Sequence, residues 1–303
     1  MSVFNAYMSL SGAIDAQVLR DERMSRHTTY RIGGPAALFV CPHSYEALTK
    51  TISVLAQERV DWVILGKGSN LLVSDAGYQG CVIVLDDEFS RVQVGEGFLT
   101  AGAGALLSRV VNEACKAGLS GLEFCVGIPG SVGGAVSMDA GTRREWVGSR
   151  VRDVVVLRPG RGLHRYLGSE IGWGYRSCSI PTSEIVLEAT FDLVPSTAKE
   201  IAADMDTRLR RRRARQPLGL PSCGSVFRNP ADASAGALIE SCGLKGATCG
   251  GAQISSEHAN FIVNRSGATA ADVVALIGRA HDDVLAKHGV DLACEVKLLG
   301  FGA

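Results

Sequence analysis

Two short loops rich in glycine and serine could bind an anion. The first reads Gly-Lys-Gly-Ser-Asn over residues 66–70, and the second reads Gly-Ile-Pro-Gly-Ser-Val-Gly-Gly-Ala over residues 127–135. Because glycine has no side chain, backbone N–H groups in such loops can approach a phosphate closely. Two loops of this kind in one chain predict that a dinucleotide is held at both of its phosphates.

Neither loop matches the common nucleotide-binding fingerprints. A Rossmann site requires G-x-G-x-x-G, and residues 66–70 supply only the first two of its glycines. No stretch of the chain matches the G-x-x-x-x-G-K-[ST] pattern of a P-loop. Each loop could instead be a tight turn, but the glycine content of both together favours ligand binding.

Three polar residues lie where a catalytic site could use them. Arg176 follows a glycine-containing turn, Ser225 lies between a glycine and two apolar residues, and Glu295 lies on a predicted final strand. Each residue also has a simpler interpretation, as a surface arginine, a turn serine and a salt-bridged glutamate. Their spacing alone leaves the choice open.

Six arginines lie close together within residues 208–215. The simpler interpretation, which we favour, is the solvated end of a charged helix that begins near Thr197. The alternative is that some of these side chains face a phosphate-bearing ligand, since arginine suits bidentate anion binding.

The composition limits the class of protein. The 303 residues include 31 Lys plus Arg and 31 Asp plus Glu, so net charge gives no argument for nucleic acid or a membrane surface. The nine cysteines include no C-x-x-C pair, and the six histidines form no cluster at metal-ligand spacing. The sequence shows no signal-peptide pattern and no apolar run near the ~20 residues that span a bilayer. We therefore expect a soluble, cytoplasmic protein with reduced thiols and no metal site.

Alternating helices and strands must position these residues. Ser44 can cap a helix that runs to about Glu58, and the Pro-Gly turn at 159–160 predicts a hairpin between strands at 151–157 and 163–167. Two prolines within residues 216–221 mark a module boundary. The other predicted elements before this boundary are strands at 62–65, 81–85 and 184–193, and helices at 106–117 and from 197 onward.

The last third of the chain has an α+β pattern. Thr269 and Asp272 match a capping box for a helix that ends at Gly289. A final strand is predicted from the alternation of apolar residues between Leu292 and Leu298. A short helix is also predicted at 235–242 and a strand at 260–264.

Motifs over nearly the whole chain after Met24 resemble one family, in order. They are TYRIGGPA at 29–36, LGKGSNLL at 65–72, the stretch from GLEF at 121 to Gly141, GYRS at 174–177, GSVFRNP at 224–230, GGAQ at 250–253, HANF at 258–261 and EV at 295–296. Together they resemble the UDP-N-acetylenolpyruvoylglucosamine reductase (UDP-N-acetylmuramate dehydrogenase) family, in its shorter subclass.

The resemblance implies an α+β fold. A vanillyl-alcohol-oxidase-like (PCMH-type) FAD-binding domain is expected, followed by an α+β substrate-binding domain. The expected boundaries are an N-terminal segment at 1–30, an FAD-binding domain of two subdomains at 31–196, and a substrate-binding domain at 197–303 whose final strand carries Glu295.

The resemblance also implies a reaction. FAD would mediate the NADPH-dependent reduction of UDP-N-acetylglucosamine enolpyruvate to UDP-N-acetylmuramate, a peptidoglycan precursor. NADPH would reduce the flavin and leave, and the enolpyruvyl group would then take a hydride from flavin N5. Arg176 and Glu295 would stabilise the enolate-like state beside the substrate carboxylate, and Ser225 would donate the final proton.

Binding residues follow from the same resemblance. FAD is expected between the two glycine–serine loops, and the protein is expected to be a monomer. The expected substrate contacts are Tyr175, Arg228, Asn229 and Gln253. The expected FAD contacts are Gly66, Lys67, Gly68, Ser69, Asn70, Gly127, Ile128, Pro129, Gly130, Ser131, Gly133, Gly134 and Ala135.

The chain departs from the family pattern at three positions. Arg228 stands where lysine is usual, so the charge is kept but the point-charge geometry is not. Cys223 replaces a small residue, often alanine, and we expect it to affect packing only. Asp139 replaces a typical asparagine, and we expect its negative charge to bear on FAD affinity rather than on activity.

Two other functions remain open. One is a flavin oxidase on the same fold that acts on an alcohol or amine, although such enzymes often carry a flavin-linking histidine and neither loop contains one. The other is a non-catalytic nucleotide- or nucleic-acid-binding protein that uses the arginines of 208–215. The neutral net charge and the lack of aromatic residues among those arginines count against it.

Overall fold

The helix signals of the sequence correspond to helices in the computed structural model, which describes residues 2–302. The Ser44 hydroxyl accepts the Ala47 N–H at 3.2 Å and caps the second helix. Thr269 and Asp272 form the predicted capping box, and Gly289, with φ +67°, ends that helix. The helices are α1 (Val3–Leu10), α2 (Tyr45–Glu58), α3 (Leu107–Lys116), α4 (Val132–Ser137), α5 (Ala198–Arg213), α6 (Ala235–Ser241) and α7 (Ala270–His288).

The strands predicted from apolar runs are also present. Those predicted at 62–65, 81–85 and 184–193 correspond to the third, fifth and thirteenth strands. The strands are β1 (Ala16–Arg23), β2 (Pro35–Pro42), β3 (Trp62–Leu65), β4 (Leu71–Val73), β5 (Tyr78–Val84), β6 (Val92–Gly95), β7 (Phe98–Gly102), β8 (Leu119–Ser120), β9 (Val151–Arg158), β10 (Gly162–Leu167), β11 (Trp173–Gly174), β12 (Ser177–Cys178), β13 (Ile185–Asp192), β14 (Val194–Pro195), β15 (Thr248–Cys249), β16 (Ala252–Ile254), β17 (Ile262–Asn264) and β18 (Lys297–Leu299).

The chain folds into two units, each assembled from separate segments. The first unit contains the chain up to Arg20 together with Leu38–Lys67 and Gly80–Arg211. The second unit contains Asp21–Ala37, Gly68–Gln79 and the chain from Arg212 onward. The loop at 66–70 therefore crosses from one unit to the other between Lys67 and Gly68.

Two sheets form the frame of the first unit. A four-stranded sheet has the order β1-β2-β5-β3, with β3 parallel to β5. A five-stranded antiparallel sheet has the order β10-β9-β13-β7-β6, and its β9–β10 pair confirms the predicted hairpin. Apolar residues of the sheets and helices share one core that includes Leu38, Leu48, Ile83 and Leu99. Helix α4, which follows the second glycine–serine loop, packs against β13.

The second unit has a separate apolar core. Helix α7 packs against β15 and β16 of the three-stranded antiparallel sheet β15-β16-β17, and α6 packs against α7. Strand β18 pairs in parallel with β4. Buried residues of this core include Tyr30, Phe227, Ile254 and Leu276. The carboxylate of Asp75 accepts two N–H groups from the first turn of α7, at 2.8 and 3.0 Å, and stabilises that helix end.

The final strand is shorter than the sequence predicted. It begins at Lys297, so the prediction that Glu295 lies on this strand is wrong. Leu292 and Val296 are buried as the alternation required, but Cys294 and Leu298 are exposed. The alternation fails because the segment before β18 contacts another loop rather than a sheet neighbour, as the isolated bridge between Cys294 and Phe227 shows.

Helix α5 carries most of the arginine cluster on a largely solvated surface. It ends at Arg213, and Ile201 is its buried residue. Arg208 forms ion pairs with Glu145 at 2.6 Å and with Asp204 at 2.8 Å. These contacts support the interpretation of the cluster as a solvated helix end, at least for Arg208, whose charge is already balanced by two carboxylates.

Membrane-spanning helices, metal clusters and disulfides are absent from residues 2–302. No helix there is long and apolar enough to cross a membrane. In the same range, no group of three or more histidine, cysteine and acidic side chains is arranged to hold a metal ion. None of the described cysteines is joined in a disulfide.

Candidate active site

The second glycine–serine loop leads directly into α4. Ser131 caps this helix, and its buried side-chain oxygen accepts the N–H of Gly134 at 3.4 Å. The carbonyl of Gly130 accepts the N–H of Leu107 at 3.0 Å. The loop is therefore tied both to its own helix and to the start of α3.

The two glycine–serine loops meet within the first unit. A Cβ atom added to Gly66 would press directly on the Oγ of Ser131. A side chain at residue 66 would therefore force the Ser131 hydroxyl, which caps α4, to move. The sequence predicted both loops, and the structure places the start of one against the centre of the other.

Part of the second loop's backbone is already engaged by the protein. The N–H of Val132 donates to the carbonyl of Ala105 at 2.9 Å, and the N–H of Gly133 donates to the carbonyl of Ala103 at 2.8 Å. A Cβ on Gly133 would lie 2.9 Å from the Ala103 Cβ. Donors to a phosphate must therefore come from other groups of the loop, while these contacts hold it in a fixed shape.

The remainder of the first loop lies in the second unit. The carbonyl of Gly68 accepts the N–H of Thr29 at 3.1 Å. The side-chain amide of Asn70 donates to the carbonyl of Glu295 at 3.0 Å, and the N–H of Lys297 donates to the carbonyl of Asn70 at 3.1 Å. Asn70, predicted to contact FAD, thus also holds the backbone of a predicted catalytic residue.

Arg176 occupies the turn of a short hairpin formed by β11 and β12. Its backbone has φ +60°, a left-handed conformation that costs a non-glycine residue roughly 1–2 kcal/mol. Its guanidinium donates to the carbonyl of Gly141 at 3.1 Å and lies 5.2 Å from the ring centroid of Tyr175. Backbone strain of this kind is typical of functional positions.

Asp139 is a buried carboxyl group close to Arg176. Its Oδ1 accepts the N–H of Gly148 at 2.8 Å, and its side chain is 5% exposed. Burial raises the pKa of Asp139, while the Gly148 N–H and the charge of Arg176 act in the opposite direction. Asp139, which follows α4, is therefore hydrogen-bonded to Gly148 and interacts electrostatically with Arg176.

Ser225 and Glu295 lie on neighbouring segments of the second unit. The N–H of Glu295 donates to the carbonyl of Val226 at 2.7 Å, and the N–H of Arg228 donates to the carbonyl of Ala293 at 2.9 Å. Both Ser225 and Glu295 are half-buried. The structure thus brings together two of the three predicted catalytic residues, 70 positions apart in the chain.

A residue to which the sequence gave no role also contacts this pair of segments. Asn260 is 2% exposed, and its carbonyl accepts the N–H of Val226 at 2.8 Å. Its side chain bonds both backbone groups of Phe227, at 2.9 and 2.8 Å. The only signal in the sequence was its place in the HANF motif at 258–261, and no local pattern identifies a partner 33 positions away.

Two thiols flank the Ser225–Glu295 pair. Cys223 is buried, and Cys294 donates through Sγ to the carbonyl of Val226 at 3.5 Å. Full burial raises the pKa of the Cys223 thiol, and partial burial of Sγ raises the pKa of Cys294 although the residue as a whole is exposed. Both thiols therefore stay protonated at neutral pH, and neither is an activated nucleophile.

The predicted substrate contacts lie in different surroundings. Arg228 is exposed, and Tyr175 is 45% exposed beside Arg176. The Oδ1 of Asn229 accepts the N–H of Ala235 at the start of α6, at 3.0 Å. Gln253 lies on β16, where its amide donates to the carbonyl of Gly246 at 3.1 Å. The described contacts of Gln253 are thus separate from those that hold Ser225 and Glu295.

Comparisons with known proteins identify the two domains and the family of the chain. A family model described as the C-terminal domain of UDP-N-acetylenolpyruvoylglucosamine reductase matches residues 216–299, and one described as an FAD binding domain matches residues 36–158. A UDP-N-acetylenolpyruvoylglucosamine reductase from Heliobacterium modesticaldum is 44% identical over 286 residues, which cover 94% of this chain and 91% of the relative. The chain belongs to the UDP-N-acetylenolpyruvoylglucosamine reductase family.

Further members of the reductase family support the same conclusion. The relative from Moorella thermoacetica is 43% identical, with 97% of both chains covered. A crystal structure of UDP-N-acetylenolpyruvylglucosamine reductase from Thermus caldophilus is 37% identical and superposes with a TM-score of 0.81, covering 94% of this chain and 98% of that one. The predicted fold is confirmed as a PCMH-type FAD-binding domain with a second α+β domain.

The first unit offers residues that suit FAD. The matched FAD-binding region includes both glycine–serine loops, and these loops meet where a Cβ on Gly66 would press on Ser131. A cradle with so few side chains, held by its own backbone bonds, suits a pyrophosphate. The dinucleotide predicted from the two loops is therefore FAD, while its individual contact residues remain predictions.

Proposed function

We propose that the protein is the FAD-dependent reductase that converts UDP-N-acetylglucosamine enolpyruvate to UDP-N-acetylmuramate, with NADPH as the reductant, in the synthesis of peptidoglycan precursors. The placement of Ser225 beside Glu295 carries this proposal, because it supplies a proton donor and a carboxyl group on two joined segments. Membership of the reductase family supports the same substrate.

The chain's own residues must stabilise charge and deliver a proton. FAD, when bound, supplies the hydride that reduces the enolpyruvyl double bond. Negative charge then develops on the carbon next to the substrate carboxylate. We assign Arg176 to that charge, because its guanidinium is fixed by the Gly141 carbonyl and by the Tyr175 ring.

We assign Ser225 as the donor of the final proton. A serine hydroxyl is a weak acid, so it needs polar neighbours that favour proton transfer. Glu295 lies on the adjoining segment, and Arg228 follows three residues later with its backbone fixed to Ala293.

We assign Glu295 to the same developing charge. A carboxyl group stabilises a neighbouring anion when it donates a hydrogen bond to it, and this is the role assigned to Glu295. Its N–H and carbonyl are bonded to Val226 and to Asn70, respectively. These bonds fix the backbone from which the carboxyl group acts.

The proposal also covers substrate-binding residues, domain boundaries, oligomeric state and cellular location. Arg228, with an exposed guanidinium that suits a diphosphate, is assigned to the substrate together with Tyr175, Asn229 and Gln253. We propose domain boundaries at 31–196 and 197–303, a monomeric enzyme, and a cytoplasmic location.

Anaerobic half-reactions test the proposed function. The FAD-loaded protein is reduced with NADPH, and flavin absorbance is followed after addition of UDP-N-acetylglucosamine enolpyruvate. We expect bleaching by NADPH and then recovery that depends on the substrate. Bleaching without recovery would exclude this substrate and favour a flavin oxidase. A protein that binds no FAD would contradict the assignment of the two loops.

A further inference from the structure

We propose that Asn260 is a positioning residue for the reductase chemistry, and that its buried amide fixes the segment of Ser225 against the segment of Glu295. Its effect on catalysis rests on the proposed function. Its geometry rests only on contacts within the second unit.

The first part of the geometry is a clamp on the backbone directly after Ser225. The Oδ1 of Asn260 accepts the N–H of Phe227 at 2.9 Å, and its Nδ2 donates to the carbonyl of Phe227 at 2.8 Å. The main-chain carbonyl of Asn260 accepts the N–H of Val226 at 2.8 Å. Three bonds from one residue therefore fix two successive residues.

The second part is the contact on the opposite side of this segment. The carbonyl of Val226 accepts the N–H of Glu295, and the N–H of Arg228 donates to the carbonyl of Ala293. Residues 226–228 thus lie between Asn260 and the segment that carries Glu295. Because Val226 is bonded on both sides, a shift of its backbone displaces Ser225 and Glu295 together.

Asn260 is itself held in a tight turn. Its N–H donates to the Nδ1 of His258 at 3.1 Å, and burial lowers the pKa of His258. The imidazole is therefore neutral at pH 7 and can accept this bond. The buried hydroxyl of Ser255 accepts the N–H groups of Glu257 and His258, at 3.1 and 3.4 Å. The amide is thereby presented in one orientation.

The clamp requires an amide rather than a carboxylate. An ionised aspartate at residue 260 would still accept from the Phe227 N–H, but it has no donor for the Phe227 carbonyl. That carbonyl would be buried beside a second acceptor, which is unfavourable. Because burial favours the protonated carboxyl group, which could donate to the Phe227 carbonyl again, Asn260→Asp breaks the clamp only in its ionised form. The variant is therefore compared with the unmodified protein at both acidic and alkaline pH, and the effect is expected at alkaline pH.

Asn264 offers a matched control in the same unit. Its Nδ2 donates to the carbonyl of Tyr30 at 3.0 Å, and its Oδ1 accepts the N–H of Ala268 at 3.1 Å. It is thus a second asparagine whose amide bonds two backbone groups, but its side chain bonds no residue of 225–228. Asn264→Asp reproduces the same chemical change away from the proposed clamp.

The kinetic test compares Asn260→Asp with Asn264→Asp, both FAD-loaded and anaerobic. For Asn260→Asp, we expect reoxidation by saturating UDP-N-acetylglucosamine enolpyruvate to be at least ~10-fold slower, with reduction by NADPH within about twofold of the unmodified protein. For Asn264→Asp, we expect both rates within about twofold. Unchanged reoxidation in Asn260→Asp, equal slowing of both half-reactions, or the same split in Asn264→Asp would overturn the proposal.

Hydrogen–deuterium exchange provides a readout that does not depend on activity. Asn260→Asp should accelerate exchange in peptides covering residues 223–229 and 292–297, and Asn264→Asp should not. Unchanged exchange in Asn260→Asp would refute the clamp whatever the kinetics show. If the unmodified protein is not reoxidised by the substrate, the proposed function fails while the exchange data still decide the clamp. Asn260→Leu, which removes both the donor and the acceptor at a similar side-chain size, is measured in the same way because protonation cannot restore its bonds, and the same slowing and faster exchange are expected of it.

Discussion

The two regions that carry the proposed chemistry are held in place by opposite means. In the loop at 127–135, Gly133 leaves no room for a side chain against Ala103, and backbone bonds fix the loop. In the segment after Ser225, the buried side chain of Asn260 fixes the backbone. The loop at 127–135 thus depends on the absence of side chains, and glycines are visible in the sequence. The proposed catalytic segment, residues 225–228, depends instead on the amide of Asn260, and the sequence does not show that contact.

The largest effect should come from the catalytic segment. Ser225→Ala removes the proposed proton donor but leaves the backbone bonds of Val226 intact. We expect reoxidation of the reduced flavin by the substrate to slow by ~10²-fold or more, with reduction by NADPH unchanged. Stopped-flow measurement of the two half-reactions checks this. Equal slowing of both would exclude Ser225 as the proton donor.

A smaller kinetic effect is expected at Glu295. Glu295→Gln keeps the backbone bonds to Val226 and Asn70 and replaces a carboxyl donor with a weaker amide donor. We expect substrate-driven reoxidation to slow by roughly 10-fold or more, and NADPH reduction to stay unchanged. If turnover is unaffected, Glu295 has a structural role, and Ser225 is left as the proposed catalytic side chain of the second unit.

In the loop at 127–135, a substitution is expected to lower the stability of the protein rather than to change one half-reaction. Gly133→Ala would place a Cβ 2.9 Å from the Ala103 Cβ, and such overpacking costs about 1–3 kcal/mol. Its Tm should fall and FAD should be retained less well. At Gly134, an added Cβ would lie 3.6 Å from the Ser131 Oγ, an ordinary contact. Equal Tm changes for Gly133→Ala and Gly134→Ala would show that close packing does not fix this loop.

The smallest effect is expected at Asp139, between the loop and the arginine turn. Burial raises its folded-state pKa, so the folded protein binds more protons than the unfolded chain as pH rises above the usual aspartate value. The contribution of Asp139 to the free energy of unfolding is therefore lost as the pH rises through its folded-state pKa. Asp139→Asn keeps an acceptor for the Gly148 N–H and removes this loss.

Thermal unfolding across pH checks the sign of this effect. The Tm difference between Asp139→Asn and the unmodified protein should grow in favour of the variant from pH 4 to pH 7. A difference that shrinks over this range would contradict the assigned effect of burial. A change in FAD affinity in the same variant would test whether the negative charge bears on the cofactor.

Much of the fold could be predicted because its signals are local. The Ser44 cap, the capping box at Thr269 and the turn at 159–160 each depend on residues within a few positions of one another. Such short-range hydrogen bonds and turn preferences act in the same way in most proteins. The glycine content of the two loops is equally visible, and so the cofactor class was predicted as well.

The site was less predictable because its contacts are long-range. The alternation from Leu292 to Leu298 predicted a strand through Glu295, but the segment before Lys297 contacts residues 226–228 instead of a sheet neighbour. The roles of Asn70 and Asn260 as backbone partners were also missed. Each bonds a residue tens to hundreds of positions away, and no spacing rule encodes that pairing.

The sequence by itself determined the family, the FAD-binding class and the residue types available for the chemistry, because motifs, caps and glycine-rich loops are local properties. Only the tertiary structure decided that Gly66 meets Ser131, and that Val226, next to Ser225, bonds the backbone of both Glu295 and Asn260. Those contacts form when distant segments bury their backbone groups together, and a buried N–H or carbonyl must find a partner wherever the fold supplies one.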